Sequence, residues 1–152
     1  MANYTGTAAP AGPFGALARL AGPTHALLRI GAGLLFMQHG AQKLFGALGG
    51  MDGQGMKAEL MSQMGLAGVL ELFGGLLIAI GFMTRPVAVI LCLQMIAAYF
   101  IAHLPQGMVP VKNGGELALL YALVWAYFAG NGAGPASVDA AMARGRGPGR
   151  SS

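Results

Sequence analysis

Charge is what this sequence has least of. Lysine, arginine, aspartate and glutamate make up only 9% of its 152 residues, where soluble domains carry about 25%. So little charge would leave a water-facing surface badly under-solvated, which argues for a chain immersed in lipid. Cysteine is nearly absent too. Cys92 stands alone in an apolar run, which excludes an intrachain disulfide and a CxxC redox pair. There is no glycine-rich nucleotide loop and no cluster-ligand spacing, so a stand-alone enzyme is not expected. His and Glu do not recur at i, i+4 on one helix, and no metal site is expected. The net charge of +4 sits mostly at the chain ends without an aromatic-plus-basic stripe, which speaks against nucleic acid. Strict apolar–polar alternation is missing, and with it any sign of barrel strands.

What is there is apolar sequence in long runs. Hydrophobic residues make up 55% of the chain. Four segments, 24–46, 66–82, 86–104 and 115–130, each approach the ~20 residues that a helix needs to cross a ~30 Å hydrocarbon layer. The expected fold is all-α: a four-transmembrane-helix bundle over 24–134, with a flexible polar leader at 1–23 and a flexible basic tail at 135–152, disordered beyond Asp139. The leader has no basic region followed by a long apolar core and makes a poor signal peptide. Basic residues in the short links set the orientation. Arg19, Arg85, Arg144, Arg146 and Arg150 lie on one side and Lys57 and Lys112 on the other, which predicts both termini in the cytoplasm of a multi-pass inner-membrane protein.

Helical rise then places the polar residues in depth. At 1.5 Å per residue His39 lies roughly 22 Å up the first span, Lys43 roughly 28 Å, and His103 roughly 26 Å up the third. Glu71 falls about 8 Å below the outer edge of the second, and Glu116 at the edge of the fourth. Faces agree at about 100° per residue: Arg29, His39 and Lys43 share an arc, while Cys92, Tyr99 and His103 form a stripe. These positions predict a polar pocket towards the outer leaflet. A carboxylate at the depth of Glu71 costs up to roughly 3 kcal/mol, so it should be protonated or paired, with Lys43 and His39 as candidate partners. Bland readings stand beside the pocket. Lys43 can snorkel to headgroups, Glu116 suits a helix N-terminus, His103 can bind a carbonyl, and Arg29 can snorkel or pair on the cytoplasmic side.

The sequences "RIGAGLLFMQHGAQKLFG", "ELFGGLLIAIGFMTRPVAVILCLQMIAAYFIAHLPQG" and "NGGELALLYALVWAYFAGNGAGPASVD" resemble the DoxX family of small four-helix membrane proteins. The polar punctuation carries the likeness: Arg followed by HGxxK, then ExxGG, then NGGEL. The resemblance implies a component of membrane redox or oxidative-stress systems. It also implies that Arg29, His39, Lys43, Glu71 and Glu116 occupy recurring polar positions. The expected ligand set is therefore His39, Lys43, Glu71, Glu116, His103, Arg29 and Tyr99, with a quinone as the candidate ligand. The lipid bilayer, soluble or membrane redox proteins and a second copy of the chain are the candidate partners. Two alternatives stay open: a small-solute or proton transporter, and a non-catalytic assembly factor. A haem held between His39 and His103 is a weaker one.

Overall fold

The computed structural model describes residues 15–145. Most of the expected leader, and Arg146 and Arg150 of the tail, lie outside the described residues. Four long helices follow the apolar runs closely: α1 (Ala21–Phe45), α2 (Gln63–Ile80), α3 (Thr84–Gln106) and α4 (Glu116–Asn131). No strand occurs among the described residues; the single β-bridge, Gly50 with Met56, lies in the α1–α2 loop. By length and composition α2 and α3 are able to cross a membrane. The 25-residue α1 is interrupted by Arg29, Gln38, His39 and Gln42, and α4, though strongly apolar, has 16 residues.

The helices stop for local reasons. Gly46 ends α1 at φ 66°, its N–H returning 3.1 Å to the Gln42 carbonyl, in the left-handed conformation that glycine adopts without steric cost. Ser62 opens α2, its hydroxyl accepting the Gly65 N–H at 3.1 Å, which satisfies one of the amides left free at a helix start.

Sequence neighbours pack as antiparallel pairs, α1 on α2 and α3 on α4. The first pair is close enough to exclude side chains. A Cβ at Gly33 would stand 2.6 Å from the Gly75 carbonyl oxygen, and one at Gly40 2.5 Å from the Leu72 nitrogen. Small residues allow this backbone approach. Aromatic rings join the two pairs. Phe36 of α1 lies 4.8 Å from Tyr121 and 5.1 Å from Trp125 of α4, centre to centre, and Trp125 is fully buried. Outside this core the large side chains face outwards: Leu27, Phe73, Leu93, Phe100 and Leu123 are each more than half exposed.

The α2–α3 turn is fastened by side chains from far away. The buried Arg29 of α1 donates to the carbonyls of Ile78 at 2.8 Å, Ala79 at 2.6 Å and Ala136 at 2.5 Å, placing a cation at the C-terminus of α2. Asp139 accepts the N–H groups of Met83 at 2.8 Å and Thr84 at 3.0 Å, placing an anion at the start of α3. Both charges match the helix dipole. Met83 itself, at φ 49°, has no side-chain bond to offer there. Arg85 treats the end of α4 in the same way, donating to Ala129 and Gly130.

Of the two plain readings of Arg29, snorkelling or pairing locally, the structure gives the second: it is held by helix-end carbonyls inside the protein. One expectation is corrected. The segment after 134, expected to be flexible and disordered beyond Asp139, carries a helix, α5 (Val138–Gly145), over its described part. Its small apolar content misled, because it is held by polar bonds rather than by burial. Burial alone would raise the Asp139 carboxyl, but the Thr84 and Met83 N–H groups outweigh it and hold the pKa below the usual 3.8. A depressed folded-state pKa gives stability that is present above 3.8 and lost as the pH falls below it. Asp139→Asn should therefore melt lower than wild type at neutral pH, by about 1 kcal/mol for a partly screened charged bond. In detergent melts that gap should close as the medium is acidified past the carboxylate range.

Candidate functional site

Between the two helix pairs, at the end away from the Arg29 fastening, the bundle forms an open-sided cavity of about 440 Å³, within the ~300–1,000 Å³ of small-molecule sites. Its walls are mostly apolar: Phe36 of α1, Met64, Ala67 and Leu70 of α2, Met95 and Ala98 of α3. All four helices contribute to the lining.

One polar group dominates that wall. Lys43 Nζ lies 2.6 Å and 2.5 Å from the two Glu71 carboxylate oxygens. The Glu71 side chain is almost fully buried and that of Lys43 is partly buried. This pairing follows from the fold. Gly68 meets Lys43 Cβ and Leu44, so α1 and α2 approach closely where the two charges face one another. Gln94 of α3 joins them, its Nε2 donating to Glu71 Oε1 and to the Ala67 carbonyl, both at 3.3 Å. Two acceptors on that side fix the amide's orientation, leaving Oε1 buried without a partner. His39 and Tyr121 line the cavity edge to face, with centroids 6.2 Å apart. His103 also lines it and bonds the Asn113 carbonyl through Nδ1 at 3.1 Å, which leaves Nε2 for another group.

Both cavity-flanking helices are locally widened. A turn of π geometry runs through Leu70–Gly74 of α2 and another through Tyr99–His103 of α3. Such turns are rare and frequently sit at functional sites. Glu71 lies in the first and His103 closes the second.

The structure thus brings together His39, Lys43, Glu71 and His103 of the expected set. Of the two candidate partners for Glu71, it is Lys43 that bonds the carboxylate. Three expected residues lie elsewhere. Arg29 is spent at the far end of the bundle. Glu116 is exposed in the first turn of α4. Tyr99 is buried behind the cavity, stacked at 6.4 Å on His103. Gln94 and Tyr121 are site residues that the sequence reading passes over. A lone glutamine in "ILCLQMIAA" is the signal that would have found the first; nothing distinguishes Tyr121 from a core aromatic. Among the described residues no three His, Cys, Asp or Glu side chains are grouped to hold a metal.

Comparison with known proteins adds two findings. The DoxX family model matches residues 24–104, more than half of the chain. A protein of Haemophilus influenzae, named only as uncharacterized, is 40% identical over 117 residues, covering 75% of this chain and 87% of the relative. No solved structure matches.

The ion pair makes a stability prediction. Breaking a buried pair by removing one partner costs about 3–5 kcal/mol, whereas replacing both partners with apolar groups is often close to neutral. Lys43→Met and Glu71→Leu should each destabilise the protein strongly, and the double variant should cost less than either single one. A double-mutant cycle on thermal unfolding in detergent checks this; additive losses would mean that the two side chains do not interact.

Proposed function

The chain belongs to the DoxX family, and from that premise we propose that it is a multi-pass membrane protein whose cavity binds a quinone-type ligand. On this reading all four long helices cross the inner (plasma) membrane, both termini are cytoplasmic, and the cavity opens towards the outer leaflet. The apolar outer surface supports the membrane placement, since a water-soluble monomer rarely exposes contiguous apolar patches beyond a few hundred Å². The domain limits follow the same reading: a membrane domain over 24–134 between a leader and a basic tail.

The observation that carries the ligand proposal is an apolar cavity with hydrogen-bonding groups at one wall. A quinone needs both: a dry slot for the ring and donors for its carbonyl oxygens. Tyr121 O–H and a ring N–H of His39 can donate to such oxygens, while His103, whose Nδ1–H is given to the Asn113 carbonyl, offers Nε2 as an acceptor for the hydroxyl of the reduced form. The Lys43–Glu71 pair sits among them as a fixed, neutralised dipole that can exchange a proton with a bound group. When bound, the quinone would supply the electron chemistry; the chain's part is to position the ring, exclude water and hold protons nearby. Electrons then come from a partner oxidoreductase, which makes the protein a redox-associated subunit.

Trp125 reports on this site. It is the chain's only tryptophan and stacks at 5.6 Å on Tyr121 and packs against Phe36, both of which line the cavity. A short-chain ubiquinone analogue should quench it saturably. His39→Leu and Tyr121→Phe should each weaken binding about tenfold, as expected for the loss of one hydrogen bond worth about 1.4 kcal/mol. Quenching that never saturates, or that ignores both substitutions, removes the quinone reading. Topology is tested separately: reporter fusions at residues 20 and 140 should both be cytoplasmic, and a fusion in the 50–60 loop should lie outside.

A further inference from the structure

The shape of the cavity says how its ligand arrives. α2 and α3 pack against each other along Leu70–Ile80 of α2, where Gly74 admits the Leu91 side chain. Above Leu70 the two backbones part, and the Gln94 side chain spans the gap to the Ala67 carbonyl. Small residues face this gap, with Ala67 on one side and Ala97, Ala98 and Ala102 on the other. Between α1 and α2 glycines bring the backbones into contact; here small side chains coincide with an opening instead. The rim is apolar and outward-facing: Met64 is 50% exposed, Leu66 60% and Ile101 63%, and all three also line the cavity. Rim and outer surface are continuous, since Phe73 below it and Phe100 beside it are exposed as well.

We propose that this gap between α2 and α3 is a lateral portal, and that the natural ligand is a long-chain amphiphile of the lipid phase that enters head first. Its polar head lies by Lys43, Glu71 and Tyr121, and its hydrocarbon tail leaves between Ala67 and Ala98 into the bilayer. The inference builds on the proposed membrane placement and deepens the quinone reading: it assigns the ligand a tail and a route through lipid rather than water. A tailless, water-borne solute would gain nothing from a rim of Met64, Leu66 and Ile101. An opening with apolar lips is the geometry that a chain-bearing molecule can cross without leaving hydrocarbon.

The test uses the full chain in phosphatidylcholine vesicles doped with a long-chain alcohol carrying a diazirine beside its hydroxyl. After illumination, adducts are mapped by mass spectrometry. Adducts on buried cavity residues such as Phe36 and Met95 are expected. They should fall to background when a Cys92→Ala/Ala97→Cys variant is alkylated with a bulky maleimide after reconstitution, so that folding is complete before the portal is blocked. The same label on Leu123→Cys, on the outer face of α4, should leave them unchanged. Adducts confined to outer residues such as Leu93 and Phe100, or inner adducts indifferent to the Ala97 label, overturn the portal. Competition by a decyl-tailed quinone separates the two ideas: inner adducts that the quinone does not displace keep the portal and remove the quinone.

Discussion

The contact between Lys43 and Glu71 is the interaction around which the rest of the molecule is arranged. A chain with so few charges has little water-like surroundings to offer them, so each must find its counterpart inside the protein. An ammonium and a carboxylate taken out of water are costly unless they meet at close range. That meeting demands that α1 and α2 come within backbone contact. The demand explains the small residues on both helices: Gly33 and Gly40 on one, Gly68 and Gly75 on the other. With that pair locked, α3 and α4 need only close over it, and the aromatic stack of Phe36, Tyr121 and Trp125 supplies the join. The cavity is what remains where the two pairs do not quite meet.

At the opposite end, helix-end carbonyls and amides are satisfied by side chains from elsewhere in the chain. Arg29, Arg85 and Asp139 are used for that, each reaching across to the end of another helix. The basic residues of this protein therefore divide by task. Lys43 neutralises a carboxylate at a cavity, while Arg29 and Arg85 terminate helices. Guanidinium suits the second task because its planar fork reaches several carbonyls at once.

Much of this was legible in the sequence, and the failures have physical causes. Long apolar runs locate the helices, because hydrophobic length is a local property. Rise per residue brings His39, Lys43, Glu71 and His103 to one level, because α1 and α3 run parallel and α2 opposes them. Azimuth fared worse. A reading at 100° per residue assumes unbroken α geometry, and the π turns through Glu71 and through Tyr99–His103 shift the phase. Tyr99 is then grouped with the cavity although it lies behind it. Arg29 was grouped with the pocket for another reason: its partners are backbone carbonyls, which leave no trace in side-chain patterns. Gln94 was passed over because a single neutral amide hardly interrupts an apolar run, yet it links the ion pair to α3.

The remote cap on α3 has a consequence for how the protein is made. Met83 and Thr84 leave the ribosome more than fifty residues ahead of Asp139, the residue that satisfies them. Until then the α2–α3 turn has Arg29 at one end and nothing from the chain at the other. The hairpin is made early but sealed late, by a residue synthesised after the whole of α4. Closure of the turn is thereby coupled to synthesis of the segment that follows α4, and a chain that stops short of Asp139 leaves the Met83 and Thr84 N–H groups without their acceptor.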